Sequence, residues 1–257
     1  MPKSRLWKLI IAPFLIGPVV YLLVYSIAGS WVYPLLFPEW TLTHWKHLLT
    51  GSNELLGSTG LSLLMSTIMA SVSTVLAFFT SRYISLSRNA IFWQNLAYLP
   101  FALSPIVYAV CIHFYFNYLE LSASVAGVML AQLFLLYPYS VILFSTFWNK
   151  QVHEYQKMVA TLGGNSLMQW KHGIWPFAKA VVAFSWVQTF LISWFDFGMT
   201  QYIGVGKVKT LTIQVFQLVS EASPYLAAVS GCLLVIPPFI LFYVNKKFLI
   251  NSAFSGQ

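Results

Sequence analysis

Ser185, Gln188, Thr189, Ser193 and Asp196 recur at spacings of three and four inside an otherwise apolar run. That spacing gathers them on one face of a helix. Such a face has two uses. It can line a path for a polar solute, or it can hold a neighbouring helix through small residues and hydroxyl hydrogen bonds. The serines and Thr189 suit packing best, whereas Gln188 and Asp196 suit either use. A shorter stripe, Ser58, Ser62 and Ser66, repeats the pattern earlier in the chain. Hydrolytic chemistry fits less well. The chain has no Gly-x-Ser-x-Gly elbow, no His-Glu-x-x-His pair and no carboxylate pair within its apolar runs, so no catalytic residue and no metal site is expected. His113 and Gln132 stand alone in apolar runs and read as satisfied packing residues. Cys111 and Cys232 read as inert buried thiols, because their number and spacing give neither a disulfide framework nor a metal site.

A second informative stretch, residues 152–176, is mostly polar. Residues 152–162 support three turns of helix. Gly163 and Gly164 end it, since glycine accepts the left-handed conformation found past a helix end. Ser166 and Gln169 have capping-box spacing, so a second helix is expected to begin there. Pro176 suits the first turn of the helix that follows, where a missing N–H does no harm. The result is a helix–Gly-Gly–helix elbow. Met158 and Leu162 share one helical face with Val159 beside it. They bring apolar surface to an otherwise polar segment, and such surface needs a partner or a membrane.

These residues must be positioned by apolar runs long enough to cross a bilayer. Of 257 residues, 58% are hydrophobic and 8% charged, against about a quarter charged in an ordinary soluble domain. Lipid is the solvent that tolerates an apolar exterior, so the fold class is an all-α integral membrane protein. Spans of about 20 apolar residues are read at 7–28, 57–79, 96–118, 122–147, 177–197 and 225–244, within one transmembrane domain covering 1–257. The net charge of +8 does not indicate nucleic acid, because the basic residues are dispersed between apolar runs and not concentrated on one surface. With six spans, eleven of the fourteen Lys and Arg lie on the side of the two ends, and only Lys46, Lys207 and Lys209 lie opposite. Both termini and the elbow are therefore expected in the cytoplasm, with Arg82 and Arg88 anchoring the inner ends of spans two and three.

The first run follows Lys3, Arg5 and Lys8 as a secretory signal would, but its length of about twenty residues exceeds the usual signal core and marks a retained span. The outer loop 29–56 carries Trp31, Tyr33, Trp40 and Trp45, rings suited to headgroup depth. The outer segment 198–223 starts glycine-rich. From Thr210 it becomes too polar to span, and a short helix at the interface is expected. Asp196-Phe197-Gly198 closes span five at the outer side, where Phe197 can plug a narrow path and Gly198 lets the chain turn.

The elbow resembles the cytoplasmic signature of binding-protein-dependent ABC importer permeases: Glu-Ala-Ala, three residues, Gly, nine residues, Ile, one residue, Leu-Pro. Anchored on Gly163, that spacing reaches Pro176. Trp175 stands at the Leu position, and Gly173 at the Ile position with Ile174 one residue later. Lys157, Met158 and Val159 hold the Glu-Ala-Ala positions, so a base replaces the usual acid. Asp196-Phe197-Gly198-Met199-Thr200 is similar to the Glu-Phe-Gly-x-Thr stretch of the spermidine/putrescine, ferric-iron and molybdate/sulfate branches. Thr210-Leu211 and the stretch after it are similar to the segment before their last span. The resemblance covers roughly residues 58–249.

The resemblance implies a type I permease fold in a bacterial plasma (inner) membrane. It assigns ATPase coupling to Lys157, Met158, Val159, Ala160, Thr161, Leu162, Gly163, Gly164 and Pro176. It assigns the translocation path or gate to Ser185, Gln188, Thr189, Ser193, Asp196, Phe197 and Gly198. It implies cytoplasmic ATP-binding cassette ATPase subunits, a second permease subunit and an extracytoplasmic solute-binding protein as partners, with a small charged solute such as a polyamine, thiamine, ferric iron or an oxyanion. The chain has no Gly-x-x-x-x-Gly-Lys-Ser/Thr loop, so ATP belongs to the partner subunits and no cofactor is expected on this chain. Two other readings are an autonomous secondary transporter, for which no matched pair of broken spans is evident, and an intramembrane hydrolase.

Overall fold

A computed structural model describes residues 3–29, 38–50 and 53–254, without side chains at 3–13, 15, 47, 49, 50, 53, 150 and 246–254. Trp31 and Tyr33 lie outside the described residues. Apart from one isolated antiparallel bridge between Ala28 and Trp40, the described structure is helical. The helices are α1 (Lys3–Ser26), α2 (Thr43–Thr50), α3 (Asn53–Leu86), α4 (Ala90–Tyr98), α5 (Pro105–Tyr118), α6 (Val125–Phe147) and α7 (Lys150–Thr161). They continue with α8 (Ser166–Met168), α9 (Trp175–Trp194), α10 (Gly198–Gly204), α11 (Leu211–Ser220) and α12 (Pro224–Phe254).

Among the described residues, four helical stretches are long and apolar enough to cross a bilayer: Glu54–Leu86, Val125–Phe147, Ser166–Trp194 and Pro224–Asn245. A bent pair, Ala90–Ala102 with Pro105–Tyr118, makes a fifth if counted as one crossing. The described apolar part of α1, Ile16–Ser26, is shorter than a span. These helices carry apolar side chains outward, with Phe114 75% and Phe242 69% exposed. That is the surface lipid tolerates and water does not. The chain is a helical protein built for a membrane.

Two spans differ from the sequence expectation. Residues 96–118 do not form one straight span. A 3₁₀ turn, Leu99–Ala102, follows α4, Leu103 and Ser104 are extended, and α5 leaves at 93°. Pro105 causes this break, because proline drives the residue before it out of the α region and cannot continue a helix from behind. It serves instead at the start of α5. Span five starts and stops earlier than expected. It runs from Ser166 through a π-helical turn, Gln169–Ile174, and ends at Trp194. Asp196 and Phe197 therefore lie beyond the helix, in the turn before α10. Pro176 explains the π turn: it withholds the N–H that would close on His172 and crowds that carbonyl, and a wider turn relieves both. The Trp175 N–H bonds Trp170 O accordingly.

The chain divides into two compact units, Met1–Ser62 with Lys209–Pro238, and Leu63–Val208 with Phe239–Gln257. In the first, Ser62 Oγ accepts the N–H of Leu211 at 2.8 Å, satisfying a free donor at the start of α11. Thr210 caps the same helix by accepting from Ile213 N, so the expected short helix is present. Tyr25 and His44 both stack on Tyr225 at 5.3 Å. Gly231 admits Leu22 so closely that a Cβ would lie 2.9 Å from its Cδ1, the close helix approach that small residues permit in membranes. Exposed Lys209 and Glu54 pair.

The second unit holds a core of Ala77, Phe78, Ile84, Val141, Phe144, Phe147, Trp148, Val152, Ile174 and Ala178. Its helices are also joined by polar contacts: Trp186 Nε1 donates to Ser71 Oγ at 3.1 Å, and the Thr74 and Thr189 hydroxyls meet at 3.5 Å. Many hydroxyls in both units bond carbonyls three or four residues back, as Ser81 does to Phe78 and Ser230 to Leu226, which hides polar groups from lipid. Cys232 is buried as expected, but Cys111 is exposed on α5. His113 is half-buried, and its Nδ1 finds no partner among the described residues, so it is not the satisfied packing residue anticipated.

Candidate functional site

The elbow is a hairpin of α7 against the α8–π turn. Asn149 caps α7 by accepting from Val152 N at 3.0 Å. Gly163 ends it at φ +81°, with Gly163 N donating to Ala160 O and Gly164 N to Val159 O, both at 3.0 Å. This crossed pair of bonds is the Schellman arrangement. Each glycine is required for a different reason. Gly163 has open space around it but a left-handed backbone, whereas a Cβ on Gly164 would fall 2.7 Å from Val159 O and Cγ1.

Asn165, not Ser166, caps the second arm, accepting from Met168 N at 2.9 Å. Gln169 is thereby released from the expected capping box. It donates instead to Gly164 O at 3.2 Å and accepts from Gln156 Nε2 at 3.4 Å, tying the arms together. Gly173 supplies the remaining fit: a Cβ there would stand 3.4 Å from Gln156 Cα and Val159 Cγ2. Val159 thus faces the second arm and does not belong to the apolar tip. The tip consists of Met158 and Leu162 with Leu167 and Met168, all exposed, Leu162 to 78% and Leu167 to 74%. Lys157, Ala160 and Thr161 flank it on α7.

The hairpin's base is fixed. Val152 and Ile174 are buried in the second unit's core, and Tyr155 stacks on Phe177 at 4.8 Å. Trp148 Nε1 donates to Ser81 Oγ at 2.8 Å. The Arg82 guanidinium lies 4.4 Å over the Trp170 ring and 5.9 Å from that of Trp148. Cation–π contacts of this kind hold α3 to both ends of the hairpin. Nothing in the local pattern marks the stack, whose members are dozens of residues apart.

The second predicted cluster divides. Ser185 and Thr189 are buried; Thr189 Oγ1 donates to Ser185 O at 2.8 Å and faces Thr74, whereas Ser185 Oγ has no partner among the described residues. Gln188 is half-buried. Ser193 and Asp196 meet Gln132 of α6: Ser193 Oγ donates to Gln132 Oε1 at 2.7 Å, and Gln132 Nε2 donates to Asp196 Oδ2 at 3.1 Å. Asp196 also accepts from Met199 N at 3.3 Å, Thr200 N at 3.0 Å and Thr200 Oγ1 at 2.8 Å. The carboxylate therefore caps α10, a helix the glycine-rich sequence did not suggest. Four donors make its charge tolerable, as its place beside apolar spans demands. Gly198 lets α10 approach α5, since a Cβ would meet Ile106 Cγ1 at 2.8 Å. Phe197 is half-buried beside it. Among the described residues no group of His, Cys, Asp and Glu could hold a metal ion.

No family model matches the chain, and no curated protein matches its sequence.

Proposed function

We propose that this chain is the membrane-embedded permease subunit of a binding-protein-dependent ABC importer. It forms half of a pathway for a small charged solute and takes its motion from cytoplasmic ATPase subunits. In this reading six spans cross a bacterial inner membrane: α1, α3, the bent α4–α5 pair, α6, the continuous α8–α9 helix and α12. Both termini and the hairpin face the cytoplasm. A second permease subunit completes the pathway and an extracytoplasmic binding protein delivers the solute.

The observation that carries the reading is the hairpin: an exposed apolar tip of Met158, Leu162, Leu167 and Met168 on a base locked into the helix core through Trp148, Val152 and Ile174. Exposed apolar surface of this kind calls for a partner. A rigid base lets a push at the tip move α3, α6 and α9 instead of bending a loop. α9 belongs to the same continuous helical stretch as the hairpin's second arm, so the tip and the Ser185–Ser193 face move together. The Gln132–Asp196–Thr200 network stands at the far end of that helix, where it fixes α10 beside the path.

The test is purification of the tagged chain from its own membrane, followed by ATPase assay in vesicles. An ATP-binding cassette ATPase should accompany the wild-type chain, and its hydrolysis should rise with solute-loaded binding protein. Met158→Asp should abolish that association while the chain still inserts. Solute uptake by the chain alone, driven by an ion gradient, would contradict the proposal.

A further inference from the structure

We infer that the cleft between the end of α3 and α7 seats the phosphate of an anionic membrane lipid. The cleft has a volume of about 680 Å³ and is lined by Arg82, His153, Lys157, Gln156, Gln169 and Trp148, among others. Its chemistry is one-sided. Arg82 and Lys157 form no ion pair among the described residues, and no acidic residue lines the cleft. Stacking on Trp170 and Trp148 engages the guanidinium face but supplies no acceptor for its N–H donors. A half-buried arginine held in this way, with a lysine lining the same cleft, supplies the positive charge and N–H donors that a phosphate accepts.

The position favours lipid as the source of that phosphate. The apolar run of α3 gives way to Thr80, Ser81 and Arg82, and Arg82 and Ser85 line the cleft just past its end. The cleft therefore opens where a membrane helix reaches headgroup depth. Leu86, 66% exposed, lines the cleft and offers apolar surface to an acyl chain. Basic pockets among membrane helices bind anionic headgroups through this combination of fixed charge and adjoining apolar surface. The inference rests on α3 crossing a bilayer and is independent of any ATPase partner.

The experiment is native mass spectrometry of the full chain released from nanodiscs of phosphatidylcholine mixed with phosphatidylglycerol. Wild-type protein should retain phosphatidylglycerol in preference to phosphatidylcholine. Arg82→Gln and Lys157→Gln should each weaken retention by about fivefold, as expected for one basic residue at an anionic surface. Lys207→Gln, at an exposed lysine away from the cleft, should leave it unchanged. Because Arg82→Gln also disturbs the indole stack, Lys157→Gln is the decisive variant. Equal retention by wild type and Lys157→Gln overturns the proposal. So does displacement of the lipid by millimolar inorganic phosphate, which would mark a site for free phosphate. Absence of bound lipid, with Lys157→Gln instead loosening an ATPase, would make the cleft a seat for a protein carboxylate and would also overturn it.

Discussion

The N–H of Gly164 donates to the carbonyl of Val159 at 3.0 Å, and the Cα hydrogen that a side chain would replace points at that same carbonyl. The bond that ends α7 and the contact that forbids a Cβ are thus one feature. Gly163→Val and Gly164→Ala should both disorder the hairpin, by different routes. The first forces a β-branched residue into a left-handed backbone, at a cost of about 1–2 kcal/mol. The second overpacks against Val159, at about 1–3 kcal/mol. Hydrogen exchange should rise across residues 150–174 in both variants and stay unchanged in α6. Unchanged protection of α7 would mean that the turn does not hold the arms.

Asp196 and Gln132 should behave as a coupled pair. Asp196→Leu leaves Met199 N, Thr200 N and Gln132 Nε2 without an acceptor, each a loss of about 1–3 kcal/mol if left unsatisfied. Asp196→Asn keeps one acceptor and should lose less. A double-mutant cycle with Gln132→Leu should give a coupling of about 0.5–3 kcal/mol in thermal unfolding in detergent. Strict additivity would show that the Gln132–Asp196 bond at 3.1 Å carries no energy.

Ser81→Ala should be worse than its size suggests, because it orphans the buried indole N–H of Trp148. The expected loss is about 1–3 kcal/mol, and adding Trp148→Phe should recover part of it by removing the unpaired donor. A denaturation series in detergent, with both single variants and the double, decides the matter. No recovery in the double variant would mean that packing of the indole, not its bond, holds the hairpin's base.

The strongest sequence signals are those carried by runs and by local spacing. Apolar stretches of span length mark four long helices, Gly163 marks the left-handed turn, and Thr210 marks the start of α11. Signals that depend on choosing between neighbours mislead. Asn165 takes the cap expected of Ser166; the two residue types cap about equally well, so residue type alone does not choose between them. Val159 turns inward because Gly164 and Gly173 leave room for it. Pro105 marks an interruption of the apolar run, but the run continues on both sides of it, so the 93° bend is not legible. Contacts between distant segments leave no local trace. The Arg82–Trp170 stack and the Gln132–Asp196 bond join residues 88 and 64 positions apart, and the pattern that holds Asp196 does not point to Gln132.

Topology is tested at the turn. With Cys111 and Cys232 replaced, a single cysteine at position 164 should resist a membrane-impermeant maleimide in intact cells and react after permeabilisation, if the proposed topology puts the turn on the cytoplasmic side with eleven of the fourteen Lys and Arg. Labelling without permeabilisation would invert the arrangement.

The most direct measurement is photocrosslinking from the hairpin in the native membrane, with p-benzoylphenylalanine placed in turn at positions 158, 159, 162 and 167. If the tip is the coupling surface, the exposed positions 158, 162 and 167 crosslink to an ATP-binding cassette ATPase, whereas position 159, turned toward Gly164 and Gly173, crosslinks only within the chain. Crosslinking from none of the three exposed positions, or equal crosslinking from position 159, would contradict the account.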